Sequence, residues 1–266
     1  MRIAVITTNL YEPAIKYKDY LLDNYKDFID INFIDKDKIE DSVDIFVVLG
    51  GDGFMLKSIH KYYKYNKSFY GVNFGRVGFL LNSQEYSNDQ NLINIIEDSV
   101  PYTLNPLKVD FTTYDGMSKS LIAINEVVLY RQLYKVVDID ILVNDKTVVK
   151  NYSGDGLILS SPIGSCAYNY SAGGVILNEK SNDIVLTPMY PTKGFGFRTA
   201  LLENNSKLTF KINNPVLRSV NLFCDYVETN NILTADAYVD KTTTIKILYN
   251  SKKTLSDKIL EQQFSS

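Results

Sequence analysis

The 266-residue chain has one histidine, no tryptophan and two cysteines, and only five of its 28 basic residues are arginine. Each shortage excludes some chemistry. A zinc protease helix needs two histidines, and a single one also argues against a His-rich metal cage. A Ser-His-Asp triad would have to use His60. That residue sits in the lysine- and tyrosine-rich run His60-Lys61-Tyr62-Tyr63-Lys64, a poor setting for an oriented base. Cys166 and Cys224 are too few for a disulfide framework. The opening run Met1-Arg2-Ile3-Ala4-Val5-Ile6 falls well short of the roughly 18 apolar residues of a membrane span. These features set the expectation of a protein of the reducing cytoplasm. The net charge of −3 gives no electrostatic case for nucleic acid, and no basic amphipathic surface suits a bilayer.

What is present reads as globular: 45% hydrophobic and 22% charged residues. The length allows one large domain or two ordinary ones. In the first hundred residues, strand and helix signals alternate. Ile3 to Ile6, Ile31 to Ile34, Asp44 to Leu49 and Phe69 to Asn73 read as strands. Lys16 to Phe28, the stretch after Gly53 and about Asn88 to Asp98 read as helices. That alternation predicts an open, Rossmann-like α/β sheet over 1–103. After Pro101 short apolar runs recur between turn signals such as Asp115-Gly116 and Asn144-Asp145. They predict an antiparallel β-sandwich over 104–250. The polar segment 251–266 is expected as a short helix or a frayed tail packing back on the N-terminal domain.

Four motifs could carry chemistry. Gly50-Gly51-Asp52-Gly53 follows an apolar strand and opens a helix, where α/β folds place phosphates. An aspartate there repels phosphate, so it suits a proton acceptor or a metal ligand. It equally suits a tight turn with Asp52 as the helix N-cap. The segment Gly71-Val72-Asn73-Phe74-Gly75-Arg76-Val77-Gly78-Phe79 could hold an adenine against Phe79, or be a turn with core phenylalanines. It does not have the dinucleotide fingerprint spacing. Asn125-Glu126 lies inside the apolar run Leu121 to Leu129, so one of the two should face a core. A buried carboxylate needs a partner, and ribose hydroxyls would serve; a strand-end bulge is the other reading. Finally, Gly154-Asp155-Gly156 leads into Ser160-Ser161-Pro162-Ile163-Gly164-Ser165, a strand followed by a Ser/Gly loop able to grip phosphate or sugar. P-loop, protein-kinase and nucleophile-elbow signatures are absent.

In this order and spacing, the four motifs resemble the NAD kinase family, from about Val47 to Asp225. The resemblance implies an N-terminal α/β domain and a C-terminal β-sandwich, with the site between them. It implies phosphorylation of the adenosine ribose 2′-hydroxyl of NAD by ATP or polyphosphate with Mg²⁺, in a homodimer or homotetramer. No protein metal site is expected. Carried over by position, Asp52 is the catalytic base, Gly53 passes close to the ligand and Phe79 packs by the adenine. Asn125 and Glu126 bind ribose and base, and Asp155 lies near the nicotinamide end. Ala167, Tyr168 and Ser171 contact ligand from the partly helical loop, and Tyr190 and Tyr226 face it later in the chain. Two further ligand-facing positions depart from the family: Cys166 replaces a common threonine, removing a hydroxyl, and Ser153 stands where a basic residue is frequent. Tyr226 follows Asp225 where many members have glycine. The Gly-Gly-Asp-Gly loop also occurs in diacylglycerol-type lipid kinases, and a non-catalytic NAD sensor would keep the same motifs.

Overall fold

Strand β1 (Ile3–Thr7) and strand β3 (Ile45–Gly50) are almost wholly apolar, as strands covered on both faces must be. Every residue of β3 is buried. It runs parallel to β1 on one side and to β4 (Ser68–Asn73) on the other, and β1 pairs in turn with β2 (Phe28–Asp30). The computed structural model describes residues 2–30, 43–86, 92–192, 194 and 197–264. The expected strand Ile31 to Ile34 lies outside them. Helix α1 (Glu12–Asn24) begins earlier than its apolar spacing predicts, because Pro13 in its first turn lacks only an N–H that would be unpaired there anyway. Helix α2 (Asp52–Tyr62) buries Met55, Ile59 and Tyr62 on one face; Phe46 of β3 stacks on Tyr62 at 5.0 Å. Of the helix expected over Asn88 to Asp98, the described part is α3 (Leu92–Glu97), followed by β5 (Val100–Leu104).

The β-rich part holds two six-stranded antiparallel sheets. One contains β6 (Leu107–Thr113), β7 (Ser118–Ala123), β9 (Val137–Val143), β10 (Lys146–Gly154), β14 (Leu208–Ile212) and β17 (Ile232–Val239). The other contains β8 (Glu126–Arg131), β11 (Gly156–Ser160), β12 (Asp183–Met189), β13 (Ala200–Glu203), β15 (Val220–Cys224) and β16 (Val227–Thr229). Alternation in β6 buries Leu107, Val109 and Phe111, and β9 buries Val137, Ile139 and Ile141. They share one core with Val127, Leu129, Leu157, Leu159 and Leu222 of the second sheet, which makes the pair a sandwich. After β11 the chain passes through a 3₁₀ turn (Ile163–Cys166) into the short helix α4 (Tyr168–Ser171).

Two expectations are corrected here. The apolar run Leu121 to Leu129 is not one strand. It breaks at Ile124-Asn125, where β7 leaves one sheet and β8 enters the other. The break is stabilised by the Asp225 carboxylate, which accepts the amides of Ile124, Asn125 and Glu126 at 2.7, 2.9 and 3.3 Å. The segment Ile245–Tyr249, expected in the sandwich, is strand β18 of the first sheet, parallel to β4 and antiparallel to β5. The chain therefore divides into one unit of Met1–Leu104 with Thr244–Glu261 and another of Asn105–Thr243 with Gln262–Ser266. The polar end forms helix α5 (Leu255–Phe264). Its start is a reciprocal cap: Asp257 accepts the Thr254 amide at 2.8 Å, and the Asp257 amide reaches back to the Thr254 hydroxyl at 3.4 Å.

Candidate active site

In the first unit the chemistry gathers at the end of β3. Gly51, not Asp52, is the N-cap of α2, and it makes no side-chain cap bond. This removes the reading of Asp52 as a capping residue. The Asp52 carboxylate instead accepts the amides of Gly78 at 2.9 Å and Leu80 at 2.7 Å, one on each oxygen. Each oxygen keeps a lone pair for another donor. Asp52 also lies in the first turn of α2, where the helix dipole favours a negative charge.

Glycine allows this arrangement because backbone packs directly on backbone. A Cβ on Gly75 would stand 3.0 Å from the Gly51 Cα, and the Phe74 amide donates to Gly50 O at 2.7 Å. Gly78 has φ +72°, and any Cβ there would lie 2.3 Å from the Asn73 side chain. Gly53 is exposed, with open space where a side chain would point. Phe79 is half-buried on the same loop that holds Asp52.

In the second unit the break after β7 presents Asn125 and Glu126. Asn125 Oδ1 and Glu126 Oε2 are buried and have no hydrogen-bond partner among the described residues. Such atoms are costly unless something polar meets them. Burial first, and then the nearby Asp225 charge, pushes the Glu126 carboxyl up from an ordinary 4.5 to about 8. A carboxyl that holds its proton at neutral pH can donate one hydrogen bond and accept others. Gly164 packs against this corner so closely that a Cβ would lie 2.1 Å from the Asn125 carbonyl oxygen, and Ser161 Oγ donates to Ile124 O at 2.6 Å.

Of the remaining expected residues of the second unit, Tyr168 is within electrostatic reach of Glu126, and the others have contacts of their own. Tyr168 opens α4 half-exposed. Its phenol is raised by burial and by the negative character of Tyr130, Tyr190, Glu126 and Asp155. Asp155 pairs with Arg131 at 2.8 Å, at the end of β8 opposite Glu126. Ser153 meets Thr192 through hydroxyls 3.3 Å apart. The half-buried Cys166 donates through Sγ to Ile163 O at 3.3 Å, and the Ala167 amide closes the 3₁₀ turn on Gly164 O. Ser171 is exposed at the end of α4. Tyr190, at φ +44°, is 81% exposed; Tyr226, beside Asp225, is about half exposed. Sequence reasoning missed three contributors: Asp225 as the anchor of the corner, Arg131 as the partner of Asp155, and Lys258. The Lys258 ammonium donates to Gly78 O at 2.6 Å and to Leu81 O on the Asp52 loop. Only the helix start before Lys258 was legible, as Thr254 followed three residues on by Asp257.

The chain has relatives among known proteins. Residues 124–241 match the ATP-NAD kinase C-terminal domain. The NAD kinase of Rickettsia bellii is 37% identical over 226 residues, covering 85% of this chain and 87% of that protein. The chain belongs to the NAD kinase family. The NAD kinase of Xylella fastidiosa is 33% identical over 264 residues, 99% of this chain and 96% of its own. Among solved structures, yeast NADH kinase complexed with NADH superposes with a TM-score of 0.80 at 21% identity, covering 100% of this chain and 88% of that one. An Archaeoglobus fulgidus NAD kinase in complex with ATP gives 0.71 at 19%, covering 98% of both chains. The fold of this NAD kinase family member is therefore that of these phosphotransferases.

The Glu126 environment makes a prediction about stability. The unfolded chain releases this proton near pH 4.5, whereas the folded protein holds it to about pH 8. The folded state thus binds more protons across that window, and its stability should fall as pH rises through it, by at most about 1.4 kcal/mol per pH unit. Glu126→Gln should flatten that slope and raise the urea midpoint above pH 8. Parallel midpoint-against-pH curves for the two proteins would contradict the assignment.

Proposed function

We propose that the protein transfers the terminal phosphoryl group of ATP, or of polyphosphate, to the adenosine ribose 2′-hydroxyl of NAD, giving NADP, with Asp52 as general base. The observation that carries the reading is the Asp52 carboxylate itself, fixed by two main-chain amides at a glycine-lined helix start. The 2′-oxygen attacks phosphorus as its proton passes to an Asp52 oxygen, and the bond from phosphorus to the departing ADP oxygen breaks. Placing a weak nucleophile against a fixed acceptor supplies proximity as well as proton transfer. The unpartnered Asn125 Oδ1 and Glu126 Oε2 suit the ribose and base of the dinucleotide, with Tyr168, Tyr190 and Tyr226 as apolar-faced contacts. Gly53, Phe79, Ser153, Asp155, Cys166, Ala167 and Ser171 complete the proposed contact set.

Among the described residues, no group of three or more His, Cys, Asp or Glu side chains is placed to hold a metal ion. In this proposal Mg²⁺ arrives on the phosphates of ATP, an ordinary way for this ion to be bound. Bound there, it neutralises phosphate charge. We place the enzyme in the cytoplasm as a homodimer or homotetramer. Among the described residues no disulfide is formed, and no helix is long and apolar enough to cross a membrane.

The test is incubation with NAD, Mg²⁺ and either ATP or polyphosphate, followed by chromatography for NADP. NADP with at least one donor is expected. Phosphorylation of diacylglycerol but not NAD would instead assign the lipid-kinase activity, and NAD binding without turnover would assign a sensor.

A further inference from the structure

The loop that holds Asp52 is gripped from two sides by opposite charges. Its amides at Gly78 and Leu80 donate to the Asp52 carboxylate. Its carbonyls at Gly78, Phe79 and Leu81 accept from the Lys258 ammonium on α5, the first two at 2.6 and 3.3 Å. One peptide unit does both: the Phe79 carbonyl faces Lys258 while the Leu80 N–H of the same peptide bond faces Asp52. A peptide between a cation at its oxygen and an anion at its N–H is polarised by each, and each hydrogen bond strengthens the other. We propose that Lys258 is a positioning residue for phosphoryl transfer, acting through the Phe79–Leu80 peptide to fix the Asp52 carboxylate.

The proposal rests on the reading of Asp52 as the base. Lys258 acts at a distance from the reacting atoms. It is surrounded by the Tyr249 ring at 5.5 Å, by Asp52, and by Lys253 and Glu261, which pair with each other at 3.0 Å. Burial lowers the ammonium to about 8, with the Asp52 charge opposing, so the cation persists at neutral pH. A surface lysine would make no such set of contacts. Three main-chain acceptors on one loop need a donor with three protons, which an ammonium provides.

The experiment compares full-length wild type, Lys258→Met, Lys258→Arg and Asp52→Asn in NADP formation across pH. Lys258→Met should lower kcat by about 10- to 100-fold, since small misplacements of a reacting group cost that much, with KM for NAD within about twofold. Lys258→Arg, which keeps a cation that can donate to the loop carbonyls, should recover most of the lost kcat. A purely structural lysine would lower the melting temperature and leave kcat of the folded enzyme near the wild-type value. Lys258→Met with wild-type kcat, or a lost kcat that Lys258→Arg does not recover, overturns the proposal. If the methionine variant does not fold, Lys258→Gln takes its place with the same two readouts. Asp52→Asn at the wild-type rate would refute the base itself. An inactive Asp52→Asn beside an unaffected Lys258 variant would refute only the role of Lys258.

Discussion

Asp52→Asn should reduce NADP formation by about two to four orders of magnitude, the usual loss when a positioned general base is removed. The substitution keeps the shape of the side chain and removes its ability to take a proton. It also turns one acceptor into an amide donor that faces the Gly78 or Leu80 N–H. That mismatch should cost about 1–3 kcal/mol of stability in the first unit, a loss that leaves the protein folded at room temperature by circular dichroism. KM for NAD should change far less than kcat, since the lost interaction matures in the transition state. A folded Asp52→Asn enzyme with wild-type kcat would exclude Asp52 as the base.

The second large effect is expected at Asp225→Ala. Three successive amides lose their acceptor at the corner where the chain passes between sheets, and two of those bonds are 2.7 and 2.9 Å long. Bonds to a charged acceptor contribute about 1.5–3 kcal/mol each and do not add fully. A loss of about 3–5 kcal/mol is therefore expected, a large share of the 5–15 kcal/mol that holds a typical domain. Because Asn125 and Glu126 ride on the same corner, KM for NAD should rise along with the destabilisation. Removing the Asp225 charge also removes one cause of the raised Glu126 carboxyl, so the pH window of that residue should narrow. Urea unfolding read against NAD saturation checks both. Unchanged stability would mean that water satisfies the amides and that Asp225 does not anchor the corner.

How far the molecule was legible depended on whether a signal was local. The β3 run, the glycine loop after it and the Met55, Ile59, Tyr62 face of α2 are written in adjacent residues, and the structure has them there. The alternation of β6 and β9 likewise announced strands with one buried face. Two features depended on distant partners. Ile245–Tyr249 alternates like any strand of the sandwich, and only pairing with β4 and β5, far earlier in the chain, assigns it to the first sheet. The run Leu121 to Leu129 looks continuous because its apolar residues continue through the corner, while the residue that stabilises the break is Asp225, a hundred positions away. Lys258 escaped for the same reason. A lysine in a polar tail reads as solvated until the fold brings three carbonyls to it.

The most direct measurement is phosphorus NMR of the product formed by the wild-type protein from NAD, ATP and Mg²⁺, with 2′-deoxy-NAD as the control acceptor. The account predicts one new monoester phosphate on the adenosine ribose 2′-oxygen, equimolar ADP, and no transfer to the deoxy compound. Phosphate at another position, transfer to the 2′-deoxy acceptor, or ATP hydrolysis without a phosphorylated dinucleotide would contradict it.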